Sequence, residues 1–179
     1  MRGLFRLVRF LLILALFAVG GAWLLGSALP REHVASRSAV ITVPPHTLFP
    51  VLITPEAYPE WRTGITRVDR PDSDRFTEHG PDGPVTFRIL DRTPSSRLVI
   101  AVDDPEQVFT GTWTYELEPE GPSGRSTRLR ITERGAVPNP VFRAIARVML
   151  DPAESIETFL TDLGRRYGQD VTIETDEVR

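Results

Sequence analysis

The longest apolar run comes first. From Phe10 to Leu29 the chain reads FLLILALFAVGGAWLLGSAL, twenty residues without a charge. About 20 apolar residues at 1.5 Å rise are what a helix needs to cross a ~30 Å hydrocarbon core. The pattern therefore predicts an Arg-rich start at 1–9, a transmembrane helix at 10–29 and a polar tether at 30–38. A cleaved signal peptide is the competing reading, because Gly26-Ser27-Ala28 offers the small residues that signal peptidase requires. The run exceeds the ~7–15 apolar residues typical of such leaders, which favours a retained anchor. Trp23 suits an interfacial ring near the far end.

Beyond the tether the spacing changes twice. Ala39, Ile41 and Val43 alternate with Val40 and Thr42 as in a strand stopped by Pro44-Pro45, and a short helical stretch follows from His46 to Ile53. Thr54-Pro55-Glu56-Ala57 opens a second helix, with Thr54 as cap and Pro55 in the first turn. From Ile65 to Gly135 short period-2 runs separated by turn residues predict an antiparallel meander. Trp113, Tyr115 and Leu117 share one face of a strand, as do Leu129, Ile131 and Glu133 of the next, opposite polar residues that leave the other face wet. The last third steps by three or four through Phe142, Ile145, Val148, Met149, Ile156, Phe159, Leu160, Leu163 and Tyr167. Asp151-Pro152 predicts a kink or break inside that stretch, and residues 169–179 read as a short acidic tail. The fold class is α+β, with the sheet's apolar face wrapped on the last helix over 39–168.

The 179 residues leave room for one ordinary domain plus the amino-terminal element. All 21 basic residues are arginine, three of them in the first 30 positions, so residues 31–179 hold 18 Arg against 24 acids, a net charge of −6. That balance argues against a nucleic-acid partner, whose phosphates need clustered Lys and Arg. Three arginines precede the apolar run and Arg31 and Arg37 follow it, which favours a cytoplasmic amino terminus and an exported domain. Zero cysteines exclude disulfides, thiolate metal sites and a Cys nucleophile.

The stretch ITVPPHTLFPVLITPEAYPEW, together with the ending GAVPNPVFRAIARVML and the order of elements, resembles the SRPBCC superfamily. That group includes START-like lipid-transfer domains and polyketide cyclase/dehydratase-like proteins, and the resemblance covers roughly Val34 to Gly168. It implies the helix-grip fold, often with a cavity for a hydrophobic small molecule or lipid between the curled sheet and the last helix. Residues expected to line such a cavity are Phe87, Ile89, Ile100, Trp113, Tyr115, Leu129, Ile131 and Glu133 from the sheet, and Phe142, Ile145, Met149 and Phe159 from the helix. The alternative is that these side chains fill the core and leave no room for a guest.

Candidate chemistry is sparse. His33, His46 and His79 have no metal-ligand spacing, and no cofactor motif is present. His33 in the tether and His46 at a helix start read as solvated or capping residues, and His79 precedes a Gly-Pro turn. Asp103-Asp104 with Glu106 reads as a turn, since Pro105 interrupts it and the spacing is not that of a calcium loop. Glu133 stands out because alternation turns it toward the helix, where a desolvated carboxylate marks a site unless it lies at an exposed strand end or pairs with Arg134 or Arg143. Three functions follow: a membrane-anchored module that binds a lipid or other apolar molecule beside the bilayer, a cyclase or dehydratase using Glu133 or His79 as acid or base, or a filled domain serving as an interaction partner in the envelope.

Overall fold

The computed structural model describes residues 2–81, 83–103, 109–149 and 151–177. The apolar run forms α1, Arg2–Ala28, 27 residues or about 40 Å long. Within it Arg6–Ala28 is long and apolar enough to cross a membrane, and most of it is exposed, with Gly26 near its end buried.

Two differences from the sequence reading lie at the domain's edges. Strand β1 runs Glu32–Ile41, so most of the expected tether is strand. It pairs in full with a later strand, from Glu32 opposite Ala136 to Ile41 opposite Thr127. Its small and polar side chains hid this, because Ser36 and Ser38 are buried by hydrogen bonding and not by apolar packing. The acidic tail is docked too: β8, Glu174–Thr175, adds to the free edge of β1, and Gln169 Oε1 accepts from the Thr42 amide at 2.9 Å. Val171 and Ile173 pack against the core there.

After β1 come helix α2, Pro45–Leu52, and a 3-10 helix, Pro55–Glu60. Thr54 does not cap the latter, since its hydroxyl donates back to the Pro50 carbonyl at 2.8 Å. The meander then follows as β2 (Arg67–Asp69), β3 (Arg75–Gly80), β4 (Gly83–Thr93), β5 (Arg97–Val102), β6 (Thr110–Glu120) and β7 (Ser126–Ala136). All pairings are antiparallel, in the order β2-β3-β4-β5-β6-β7-β1-β8. The register slips between Ile89 and Asp91, leaving Leu90 as an extra residue that points to solvent. Such a bulge increases the local twist and helps a sheet this long to curl.

The expected break is at Asp151. Helix α3 spans Pro140–Met149, and α4 spans Pro152–Arg166 with the Asp151 carboxylate accepting from the Ala153 amide at 2.9 Å. Of these two helices α4 grips the sheet, through Ile156, Phe159, Leu160 and Leu163, all buried. Helix α3 turns away and packs against the end of α1.

Candidate functional site

Two buried carboxylates interrupt the mostly apolar concave face of the sheet, which also carries Thr127 and Arg37, the latter bonded to Glu157 of α4. At one end Glu133 follows Leu129 and Ile131 along β7 and is only 8% exposed. Trp113 is its cross-strand partner on β6 and donates Nε1 to Oε2 at 2.9 Å. Ser155, in the first turn of α4, donates to the same oxygen at 3.2 Å. His33 on β1 brings Nε2 to 3.1 Å from Oε1. A pair of glycines, Gly111 opposite Gly135, makes room for these rings. A Cβ on Gly135 would lie 2.4 Å from His33 Cε1, and one on Gly111 would lie 3.1 Å from the Trp113 ring.

Deeper in, Glu78 on β3 forms a salt bridge with Arg62, which follows the 3-10 helix. The Arg62 guanidinium stands 4.9 Å from the Tyr58 ring centroid and 5.0 Å from that of Phe159. Burial pushes the Glu78 carboxyl above its usual value, with Arg62 opposing. Burial works against the Arg62 charge, but Glu78 and the neighbouring phenols outweigh it and raise its pKa. Burial also pushes the Tyr115 phenol far up, so that it remains a proton donor. Asp162 of α4 ties this end shut, accepting from the Thr63 amide at 2.6 Å, the Thr63 hydroxyl at 2.9 Å and Arg165 at 2.8 Å.

The residues expected to line a cavity divide into three groups. Phe87, Ile89, Ile100, Trp113, Tyr115, Leu129, Ile131 and Glu133 share the concave face, and Phe159 meets them from α4 with its ring 5.5 Å from that of Tyr115. Aside from half-buried Trp113 none is more than 9% exposed, and Phe87 packs edge-on against Trp113 at 5.5 Å and stacks on Phe76 at 5.3 Å. Side chains thus fill the space between the sheet and α4 there. Phe142 and Ile145 are not brought to this space: they lie on α3, 43% and 46% exposed. The Met149 side chain lies outside what the structure describes.

Glu133 pairs with neither arginine expected of it. Arg143 is committed to α1, and Arg134 points to the opposite face of β7. His33 leaves the solvated role expected of a tether residue because β1 begins at Glu32. His79 points away from Glu78, binding Asp69 at 2.7 Å and Arg67 at 3.0 Å, so it does not join Glu133. Asp103 receives two bonds from Arg88 and one from Arg75, while Asp104 and Glu106 lie outside the described residues. Sequence reading missed the Arg62–Glu78 pair, although Glu78 alternates with buried Phe76 just as Glu133 does with Ile131. Among the described residues no three His, Asp or Glu side chains are grouped to hold a metal ion.

An open concavity of about 400 Å³ lies at the same end of the sheet as Glu133; His33 is among its walls but Glu133 is not, and Val34, Thr112 and Arg134 line it from the opposite face. This is within the ~300–1,000 Å³ common for small-molecule sites. A buried carboxylate with an imidazole on one oxygen and two donors on the other can hold a ligand hydroxyl or relay a proton.

Comparison with solved structures shows the same fold at low identity. A START superfamily protein from Mycobacterium smegmatis matches with a TM-score of 0.59 and 17% identity, over 75% of this chain and 96% of that one. A conserved protein from Geobacillus kaustophilus matches with a TM-score of 0.64 and 14% identity, over 79% and 99%. A di-domain ARO/CYC protein of the steffimycin biosynthetic pathway matches with a TM-score of 0.59 and 12% identity, over 77% and 53%. No curated protein matches the sequence significantly. The family described as polyketide cyclase/dehydrase and lipid transport matches residues 32–168, from the first strand through the gripping helix, and the chain belongs to that family.

Proposed function

We propose that this protein is a membrane-anchored binding module that takes a lipid or another apolar molecule carrying one polar group at the Glu133 end of its sheet. The observation that carries this reading is the buried carboxylate of Glu133, held by His33, Trp113 and Ser155 on the concave face of the sheet. The fold of the family supports a ligand-binding or cyclase-type module. Its place relative to α1 supports the membrane: Ala28 ends the helix and His33 is five residues on, at most about 17 Å along an extended chain. A ligand drawn from a bilayer crossed by α1 would meet this end at high local concentration. The positive start of the chain supports a cytoplasmic amino terminus with the domain exported.

The Glu133–His33 contact also favours a second reading, acid or base catalysis on a bound polyketide-like compound. Native mass spectrometry of the full chain, extracted from its own membrane in mild detergent, tests the first. The expected result is one defined apolar compound at a stoichiometry near one, lost or weakened in Glu133→Gln. Clean apo spectra would refute binding. Retained ligand with abolished turnover in Glu133→Gln would shift the assignment to the enzyme.

A further inference from the structure

Among the described residues, α3 packs chiefly against α1. Gly26 of α1 lies so close to Pro140 that an added Cβ would fall 1.7 Å from the Pro140 carbonyl oxygen. Arg143, 6% exposed, donates Nη1 to the carbonyls of Gly26 at 2.7 Å and Leu29 at 3.2 Å. Its remaining nitrogens reach the Val137 carbonyl at 2.9 Å and the Pro138 carbonyl at 2.8 Å. A cation thus satisfies carbonyls at the negative end of α1, and α3 begins where the apolar span ends.

The far side of α3 carries Phe142, Ile145 and Val148, three residues apart and 43%, 46% and 85% exposed. The charged residues of α3 are Arg143, which is buried, and Arg147, with no acid, whereas residues 31–179 as a whole carry a net −6. Arg147 is exposed. The face of a ten-residue helix, about 15 Å by 10 Å, offers on the order of 150 Å², well short of the ~800 Å² per partner of a stable protein interface. A bilayer surface needs no such matched area, and it complements both the apolar stripe and the local positive charge.

We propose that α3 lies in the headgroup layer of the bilayer that α1 crosses, with Phe142, Ile145 and Val148 toward the acyl chains and Arg147 among anionic headgroups. This rests on reading α1 as a span. The chain has no cysteine, so single-cysteine variants of the full protein can each carry one environment-sensitive fluorophore. Val148→Cys reports the stripe, Leu16→Cys the span and Glu118→Cys the exposed sheet, all at exposed positions. In vesicles of phosphatidylcholine and phosphatidylglycerol, labels at 16 and 148 should be quenched by nitroxide-bearing lipid and lose quenching by aqueous iodide, with the reverse at 118. A label at 148 open to iodide, with 16 still in lipid, overturns the placement of α3 and leaves the anchor standing. Iodide access at 16 overturns both. Shielding of 148 from both quenchers means that protein covers the stripe, which also overturns the proposal.

Discussion

Replacing Glu133 by Leu separates a residue kept for a ligand from one kept for the fold. In the native protein Oε2 accepts from Trp113 and Ser155, and Oε1 faces His33. Removing the carboxylate strands the half-buried Trp113 donor, while exposed Ser155 and the third-exposed His33 side chain turn to water. The lost bonds sum to about 3 kcal/mol, most of it the charge-assisted bond from Trp113. Against this, the desolvation of a buried carboxylate, several kcal/mol, disappears, and a buried Leu contributes about 1.5–3 kcal/mol. The net expectation is a variant about 1–2 kcal/mol more stable, or roughly 2–8 °C in Tm at this chain length. Thermal unfolding of the full chain in detergent, followed by circular dichroism, reads this directly, with Glu133→Gln expected within about 1 kcal/mol of the native protein. The Leu variant should also lose its co-purifying ligand, the exchange of stability against function expected of a binding residue. A fall in Tm of more than about 5 °C would refute the reasoning, because Glu133 would then be holding β1, β6 and α4 together.

Gly135→Ala should push the His33 ring off the carboxylate, since the new Cβ would sit 2.6 Å from Nε2. The expected cost is about 1–3 kcal/mol, checked by denaturant unfolding, with the His33 imidazole NMR signals moving toward those of a solvated histidine. Arg62→Met alone should cost about 3–5 kcal/mol by leaving Glu78 buried and unpaired, whereas Arg62→Met with Glu78→Leu should recover most of it; additive losses in that double-mutant cycle would refute coupling across the pair. Two carboxylates give opposite slopes with pH. The Glu78 value is raised by burial, so the folded state holds that proton more tightly and its stability contribution is lost as pH rises from the ordinary carboxylate range through the raised value. The Asp103 value is lowered by hydrogen bonding to Arg88, so its contribution is present above the ordinary range and lost as pH falls. Stability–pH curves for Glu78→Gln and Asp103→Asn should each lose one of these slopes.

The parts of the fold most legible in the sequence were those where burial and period agree. Trp113, Tyr115 and Leu117 opposite Glu133, Ile131 and Leu129 could be placed on one face because period 2 holds through both strands. The same alternation carried Glu133 and Trp113 inward but not His33 and Ser155, which come from β1 and α4 and depend on long-range pairing that no local pattern encodes. His33 was hidden because β1 opens with Glu32, His33, Ser36 and Arg37, a composition that reads as solvated chain. Continuing the parity of Ala39 and Ile41 backward through Arg37 and Ala35 reaches His33, and that was the available signal. The 3.6-residue period assigned Phe142 and Ile145 to the same apolar face as Phe159. It cannot distinguish a helix that buries its stripe in the core from one that turns it outward, and the break at Asp151 lets α3 do the latter.

That break also joins α1 to the carboxylate. Chain leaves the site at Glu133 and returns at Ser155, 22 residues later, to bond the same side chain. Between these points Arg143 fixes α3 to the carbonyls of Gly26 and Leu29. On the other side, α1 runs within a few residues into β1 and His33. Two of the three groups that touch Glu133 are therefore reached from α1 by short, hydrogen-bonded paths: His33 through the start of β1, and Ser155 through α3 and the Asp151 cap. The break at Asp151 separates the helix that meets α1 from the helix that packs on the sheet. The prolines and the cap at Asp151 set how α3 meets α1 and where Ser155 meets the carboxylate.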